Sequence, residues 1–185
     1  MTQKVLIPIA DGVEEIEAVC MIDTLRRAHL DVTVASVHDR LNITASRGVN
    51  FTADTLVTQC KNQIFDMIAL PGGMPGSTHL AQCDLLISML KQQKDAGRWI
   101  AAICAAPAIV LQPNGLLEGI KATCYPAMLD QLDPEYASQE GVVVDQTCIT
   151  GQGPGLACLF ALALVEALVG TQERQAVADA MLINK

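Results

Sequence analysis

Residues 98–112 have the sequence RWIAAICAAPAIVLQ, and the rest of the chain can be arranged around this stretch. The uncharged segment Trp99–Ile103 predicts a buried parallel strand that is covered on both faces. A short helix is predicted to follow at once, because Pro107 suits a first helical turn, where a missing N–H loses no hydrogen bond. Cys104 would then lie among free backbone N–H groups, which favour a thiolate and can bind an oxyanion. The plainer interpretation is a small core cysteine at a tight turn.

Strand patterns alternate with helix patterns along the whole chain. The predicted strands are Lys4–Ala10, Asp31–Val37, Asp66–Leu70, Trp99–Ile103, Ile120–Cys124, Val142–Asp145 and Thr147–Thr150, with a small hairpin from Leu41–Ala45 and Val49–Thr52. The predicted helices are Glu14–Ala28, Gly76–Lys94, the short Ala127–Leu132, Leu156–Val169 and Gln172–Leu182. This alternation predicts a single α/β domain over residues 1–185, with a mostly parallel central sheet and helices on both faces.

Three turns are predicted to meet at the carboxyl edge of that sheet, where open α/β folds bind their ligands. They are Asp11–Glu17, Pro71–Gly76 and Ile103–Pro107. Helical spacing places Glu14 and Glu17 at the edge of the sheet-facing stripe of the first helix, and it points Glu15 outward. The glycine pair Gly72–Gly73 lets the backbone approach a ligand closely. This convergence favours a functional role for Cys104 over plain packing.

The first predicted helix is apolar on a second side as well. Ile16, Val19 and Cys20 lie on the back of the sheet-facing stripe. Either a second subunit or a later element of the same chain could cover this face, and the sequence leaves both alternatives open.

The composition argues against several classes of function. With 12 basic and 20 acidic residues the net charge is −8, which argues against charge-driven binding of nucleic acid. We find neither a signal peptide nor a membrane-spanning segment. The seven cysteines are an odd number without CxxC spacing, so we expect reduced thiols in a cytoplasmic protein. The histidines His29, His38 and His79 form no repeated Cys/His spacing of the zinc-finger kind, which argues against structural zinc.

Seven motifs occur in an order that resembles the ThiJ/PfpI superfamily. They are DGVEEIEAV (11–19), LRRAHLDVTVAS (25–36), SRGV (46–49), MIALPGGMPG (67–76), AAICAAPAIVL (101–111), TGQGPG (150–155) and FALALVEALVG (160–170). Within the superfamily, the chain is most similar to the branch that contains the Parkinsonism-associated protein deglycase and its YajL-like relatives. The resemblance implies a flavodoxin-like sandwich, a homodimer and a nucleophilic cysteine at the strand–helix turn.

The resemblance also implies roles for particular residues. By position the nucleophile is Cys104, and the acid that hydrogen-bonds to it is Glu17. The backbone of Gly73 and Ala105 would form the oxyanion hole. Segments that border the site across the dimer in relatives match Arg47 and Gly153–Pro154.

Tyr125 departs from part of this family. The deglycase and the PfpI-type peptidases carry a histidine ahead of the proline, whereas YajL-like proteins carry an aromatic residue there. A tyrosine is a poor base near neutral pH, and cysteine-peptidase chemistry needs a base. His79 is the histidine nearest to the predicted pocket, and we interpret it as a solvated residue of a first helical turn. Peptidase and glutamine-amidotransferase activities therefore rank last.

The chemistry that remains predicts a cysteine-dependent stress-response protein. Its substrates would be small aldehydes such as methylglyoxal, in a glyoxalase reaction, or glycated amines and thiols, in a protein deglycase reaction. In either reaction Cys104 would attack the substrate and Glu17 would act as the proton shuttle. The alternative is a redox-sensing chaperone in which peroxide oxidises Cys104 without turnover. A cysteine peptidase is a distant third. The sequence points to no metal and no organic cofactor, so we expect a cofactor-independent reaction.

Overall fold

A seven-stranded sheet forms the centre of the protein, and the computed structural model describes residues 2–183. Its strands are β1 (Lys4–Ile9), β2 (Asp31–Ser36), β5 (Thr55–Leu56), β6 (Met67–Leu70), β7 (Trp99–Ile103), β8 (Val142–Asp145) and β9 (Cys148–Gly151). The order across the sheet is β5-β2-β1-β6-β7-β9-β8, and only β8 runs antiparallel to its neighbour. A separate antiparallel hairpin consists of β3 (Asn42–Thr44) and β4 (Asn50–Thr52). The predicted mostly parallel α/β architecture is confirmed.

Helices cover both faces of the sheet. They are α1 (Glu15–Arg27), α2 (Gly76–Ala81), α3 (Asp84–Asp95), α4 (Ala157–Val169) and α5 (Thr171–Ala180). The core on one face packs α1, α4 and α5 against alternate residues of β1, such as Val5 and Ile7. The core on the other face packs α2 and α3 against the residues between them, such as Leu6. This alternation is the period-two pattern of a strand that is buried on both sides.

Two predicted elements are wrong. The helix predicted over 76–94 is two helices, because the backbone of Cys83 is extended (φ −86°, ψ 93°) and caps the start of α3. The strand predicted at Ile120–Cys124 makes one isolated bridge, from Ala122 to Ala137. Both edges of β7 are already paired, with β6 and β9, so no strand in the middle of the sheet is free to accept it. Its apolar character reflects burial of Ile120, Ala122 and Cys124 in the core rather than pairing.

The segment after Cys104 is a helix wound more widely than an α-helix, and the segment after Tyr125 is a helix wound more tightly. Pro107–Leu111 forms a π-helix, in which the N–H of Gln112 donates to the carbonyl of Pro107. The helix predicted at Ala127–Leu132 is a 3₁₀ helix over Pro126–Gln131. Single π-helical turns occur frequently at functional sites.

The back of α1 is covered in part by the chain itself. Cys20 lies against α4, with its Sγ 3.4 Å from Sγ of Cys158. Ile16 and Val19 remain exposed, at 54% and 47% of their surface. A later element of the same chain therefore covers one part of this face, and a second subunit remains a proposal for the exposed part.

Candidate active site

Two loops interlock at the carboxyl edge of the sheet. The N–H of Glu14 donates to the carbonyl of Gly72 at 2.9 Å. Gly73 has φ +90°, and a Cβ there would lie 2.3 Å from the backbone nitrogen of Glu14. Only glycine fits both the left-handed conformation and this close approach. The loops after β1 and β6 therefore form one fixed platform.

Cys104 lies directly above this platform in a strained backbone conformation. Its φ is +64°, a left-handed value that is uncommon for a residue with a side chain. Its N–H donates to the carbonyl of Gly151 at 2.9 Å, and its carbonyl accepts the N–H of Tyr125 at 2.7 Å. These two bonds hold the sharp turn between β7 and the π-helix. The strain is maintained by its surroundings, which is typical of a nucleophile on a tight strand-to-helix turn.

Glu17 is fully buried beside Cys104. Its Oε2 accepts the N–H of Gly72 at 2.8 Å. A Cβ on Gly72 would lie 2.6 Å from Cβ of Cys104 and 2.9 Å from Oε2 of Glu17, so the three residues meet at one point. Within residues 2–183, Oε1 of Glu17 has no partner in well-formed hydrogen-bond geometry. The carboxyl and the Cys104 thiol are nevertheless close enough for each to change the pKa of the other.

Burial decides the charge state of both groups. It raises the pKa of Glu17 to about 7, against the lowering effect of hydrogen bonds from Gly72 and Cys104. Burial also raises the pKa of Cys104 to about 12, assisted by the negative charge of Glu17 and the hydrogen bond to it. Desolvation and the neighbouring carboxylate therefore outweigh the backbone amides, which act in the direction of a thiolate.

The backbone donors expected at this turn are present. The N–H groups of Gly73 and Ala105 interact with the sulfur of Cys104, and both act to lower its pKa. They are also placed to hydrogen-bond to an oxygen formed on an atom that the sulfur has attacked. The structure thus brings Gly72, Gly73 and Ala105 together with the thiol and the carboxyl, as the sequence predicts.

A pocket of about 280 Å³ opens above the Cys104 sulfur. It is lined by Glu14, Ser46, Arg47, Gly73, Met74, Cys104, Ala105, Tyr125, Met128 and Pro154. Arg47 and Pro154 therefore line the pocket of their own chain. Gly153 borders it from behind, since a Cβ there would lie 3.5 Å from the ring of Tyr125.

The position of Glu15 corrects a prediction. Glu15 is buried rather than outward-facing, and its carboxylate accepts the Ser46 hydroxyl at 2.8 Å and the Arg47 N–H at 2.8 Å. These hydrogen bonds lower the pKa of Glu15 although burial acts in the opposite direction. Glu15 therefore fixes the hairpin loop at the edge of the pocket. No local pattern signals this contact, because Ser46 lies 31 residues away.

The histidines lie outside the residues that line this pocket. His79 is half-buried rather than solvated, and its ring stacks edge-on against His38 with centroids 5.2 Å apart. Nε2 of His38 accepts the N–H of Asp11 at 3.0 Å. Tyr125 occupies the position where a base would be expected, with 45% of its surface exposed.

Among residues 2–183 no three His, Cys, Asp or Glu side chains are grouped so that they could hold a metal ion. No helix in the same range has the length and apolar character needed to cross a membrane.

Comparison with known proteins identifies similar sequences and structures. The model of the DJ-1/PfpI family matches residues 3–167. Protein DJ-1 homolog A of Arabidopsis thaliana is 44% identical over 185 residues, which is 99% of this chain and 47% of that protein. The chain thus spans about half the length of the Arabidopsis relatives it matches.

Two other matches extend over nearly the full length of both chains. The glutathione-independent glyoxalase DJR-1.2 of Caenorhabditis elegans is 33% identical over 184 residues, which is 98% of this chain and 96% of that protein. A solved structure described as oxidized DJ-1 of Toxoplasma gondii has a TM-score of 0.98 and 44% identity, and it covers 100% of each chain. These matches include all three loops that form the pocket.

Proposed function

Since this chain belongs to the DJ-1/PfpI family, we propose that it is a cysteine-dependent stress-response enzyme that converts small 2-oxoaldehydes such as methylglyoxal into hydroxy acids. Cys104 is the nucleophile and Glu17 is the proton shuttle. The observation that carries this proposal is the contact between the thiol and a carboxyl with a pKa of about 7, at the floor of an open pocket. A carboxyl with this pKa can both accept and donate a proton near neutral pH. The glyoxalase name of the worm relative supports the same reaction class.

The proposed reaction begins with addition of the sulfur to the aldehyde. The Cys104 sulfur forms a bond to the aldehyde carbon while its proton passes to Glu17, and the carbonyl oxygen becomes an oxyanion. The N–H groups of Gly73 and Ala105 stabilise that oxyanion, which then accepts the proton to give a hemithioacetal. This route explains how a thiol with a raised pKa reacts, because its proton leaves only as the new bond forms.

Glu17 then moves a proton between adjacent carbons. Its carboxylate removes the hydrogen from the former aldehyde carbon, which gives an enediolate. The hydroxyl proton moves from the first oxygen to the second, and Glu17 returns its proton to the neighbouring carbon. The product is a thioester on Cys104. Water hydrolyses this thioester, which releases lactate in the case of methylglyoxal and restores the thiol. Oε1 of Glu17 suits the shuttle, since Oε2 is held by Gly72.

The pocket is larger than the smallest substrate needs. Its volume of about 280 Å³ and its apolar rim of Met74, Tyr125 and Met128 leave room beyond a three-carbon aldehyde. We therefore extend the proposal to early glycation adducts of cysteine, lysine and arginine, from which the same attack would free the thiol or amine. This is the deglycase form of the activity.

Lactate production from methylglyoxal tests the proposal. We expect Cys104→Ser to abolish the activity and Glu17→Gln to reduce kcat about 10²- to 10⁴-fold, as for loss of a general acid–base group. Cys83→Ser is the matched control, because Cys83 is also partly exposed but lies outside the pocket. Equal rates for wild type and Cys104→Ser would remove the enzyme proposal. Deglycation is tested by measuring the release of amine or thiol from a preformed adduct while the concentration of free aldehyde is held constant. Release under this condition cannot result from removal of the free aldehyde, so it reports direct attack on the adduct.

Redox sensing is a second candidate because the same groups would hold an oxidised sulfur. A sulfinate on Cys104 would accept hydrogen bonds from the N–H groups of Gly73 and Ala105 and from a protonated Glu17. The solved Toxoplasma relative is described as oxidized. In this proposal the oxidised protein acts as a chaperone without turnover. Peptide mass mapping after mild peroxide should show oxygen gain first at Cys104, and an equal gain at all seven cysteines would contradict it.

A cysteine peptidase stays the third candidate. Among the described residues that line the pocket there is no histidine, and Tyr125 stands where a base would be needed. We expect no cleavage of unfolded casein by wild-type protein, and cleavage that disappears in Cys104→Ser would reverse this ranking.

We also propose that the protein forms a homodimer through the exposed part of α1. Ile16 and Val19 are more exposed than large apolar side chains usually are. Next to Val19 lies a groove of about 290 Å³ that includes Phe51 of the hairpin. A second copy of this face would cover both.

A further inference from the structure

Helices α1 and α4 bring two thiols into contact on the side of the sheet away from α2 and α3. The Sγ atoms of Cys20 and Cys158 lie 3.4 Å apart, although the residues are 138 positions apart in sequence. Both side chains are partly buried, and neither lines the pocket above Cys104. The chemistry proposed for that pocket does not use them.

The other cysteines of the described chain lack such a neighbour. Cys60, Cys124 and Cys148 are buried singly, Cys83 is partly exposed, and Cys104 interacts with Glu17. Residues 2–183 contain no second contact between two thiols. A pair of thiols at 3.4 Å differs chemically from five single thiols, because the pair can be oxidised by two electrons to a disulfide without a thiol from another molecule.

We propose that Cys20 and Cys158 form a redox site that converts a hydroperoxide to water or alcohol and closes a reversible disulfide between α1 and α4. In the first step the Cys158 sulfur attacks the terminal peroxide oxygen, the O–O bond breaks, and hydroxide or alkoxide leaves and takes up the thiol proton. In the second step the Cys20 sulfur attacks the Cys158 sulfenic acid, the S–O bond breaks, and water leaves with the Cys20 proton. Two thiols are oxidised by two electrons and one peroxide is reduced by two.

The order of the two sulfurs follows from their surroundings. Burial raises the pKa of Cys20 to about 12, and the hydrogen bond and charge of Cys158 add to this effect. The hydrogen bond between the two sulfurs can run in either direction, and we assign the first attack to Cys158 because burial holds the proton on Cys20. The closing step needs the two sulfurs to approach by about 1.4 Å, from contact to the length of a disulfide. Rotation about the side-chain bonds of two partly exposed cysteines can supply that movement.

Closing this bond would join two parts of the chain that the fold holds together only by packing. A link across 138 residues restricts the unfolded chain strongly. We expect oxidation to raise the midpoint of thermal unfolding by about 10 °C. Because Cys20 lies one helical turn beyond Glu17 on α1, the same link fixes the helix that carries the proton shuttle.

The test uses full-length Cys104→Ser protein, so that its outcome does not depend on the chemistry proposed for Cys104. The protein is treated with a small excess of hydrogen peroxide, remaining thiols are blocked with N-ethylmaleimide, and peptides are mapped without reduction. We expect a linked peptide pair that contains Cys20 and Cys158, the loss of two thiols per chain, and recovery of both with a reductant. Cys83→Ser in the same background is the matched control and should form the link equally well.

Several results would overturn the proposal. One is sulfinic or sulfonic acid on Cys158 with no linked peptide, and another is a link between two chains on a non-reducing gel. Oxidation of Cys83 while Cys20 and Cys158 stay reduced would do the same. Cys20→Ser and Cys158→Ser should each abolish both the link and the thermal shift. If either variant fails to fold, the peptide map of the Cys104→Ser protein still decides the question.

Discussion

Glu17 makes the stability of this protein depend on pH, and removal of its charge should reverse the effect. The carboxyl has a pKa of about 7 in the folded protein against an ordinary value of 4.5, chiefly because it is buried. Between these values the folded state binds more protons than the unfolded state, so the stabilisation present at low pH is lost as pH rises through about 7. A difference of this size corresponds to about 3 kcal/mol of unfolding free energy above pH 8.

The substitution Glu17→Gln isolates this term. The glutamine oxygen can still accept the N–H of Gly72, and its amide stands in for the protonated carboxyl beside Cys104. We therefore expect the variant to equal wild type near pH 4, below the ordinary pKa of a glutamate, and to exceed it by up to about 3 kcal/mol near pH 8.5. In a chain of this size that is a rise in melting temperature of about 5 to 10 °C. The same variant should have lost most of its proposed activity.

Urea unfolding followed by circular dichroism at both pH values measures the difference directly. Glu118→Gln is the control, because Glu118 is exposed and far from the pocket. Subtracting the profile of each variant from that of wild type removes the titration of all other groups. The reasoning fails if Glu17→Gln is no more stable than wild type near pH 8.5, or if the difference between them is the same at both pH values.

Three other predictions concern the loops, the exposed helix face and the histidine pair. Gly72→Ala should lower stability by about 1–3 kcal/mol and abolish the reaction, because the new Cβ would lie 2.6 Å from Cβ of Cys104; unchanged urea midpoints would contradict this. Val19→Glu should convert the proposed dimer to a folded monomer in sedimentation equilibrium, and a wild-type protein that is already monomeric would refute the interface. Burial lowers the pKa of His38, so wild-type stability should fall as pH drops below about 6.5. The variant His38→Gln can still accept the Asp11 N–H, and its thermal melts should no longer show this fall in stability.

The sheet and its order of elements could be predicted because the strands are marked by local patterns. Val5, Leu6 and Ile7 form a continuous apolar run because helices cover both faces of β1. The three loops of the site were also predictable, since parallel strands present their carboxyl ends at one edge. Helical spacing places both Glu14 and Glu17 at the edge of the sheet-facing stripe, and it is the family resemblance that implies Glu17 as the partner of Cys104.

The errors arose where long-range contacts override local pattern. Helical spacing points Glu15 outward, but Ser46 and the N–H of Arg47 offer hydrogen bonds that a carboxylate at the start of α1 can accept. The alternating stretch at 120–124 is a strand by pattern, yet the sheet has no free edge there. The contact between Cys20 and Cys158 was equally hidden, because α1 and α4 lie at opposite ends of the chain. No window of sequence contains both partners of these contacts.

Cys104 and Glu17 behave as one acid rather than two. While Glu17 is ionised, its charge and hydrogen bond oppose loss of the proton from the thiol. Once Glu17 is protonated, its O–H can donate to a thiolate, so the same neighbour favours the charge that it opposed before. The pair therefore loses its first proton near pH 7 from Glu17, and the thiol loses its own proton to that carboxylate as the sulfur attacks. Burial of the carboxyl makes this exchange possible, because an exposed glutamate with a pKa near 4.5 would have no proton to share at neutral pH.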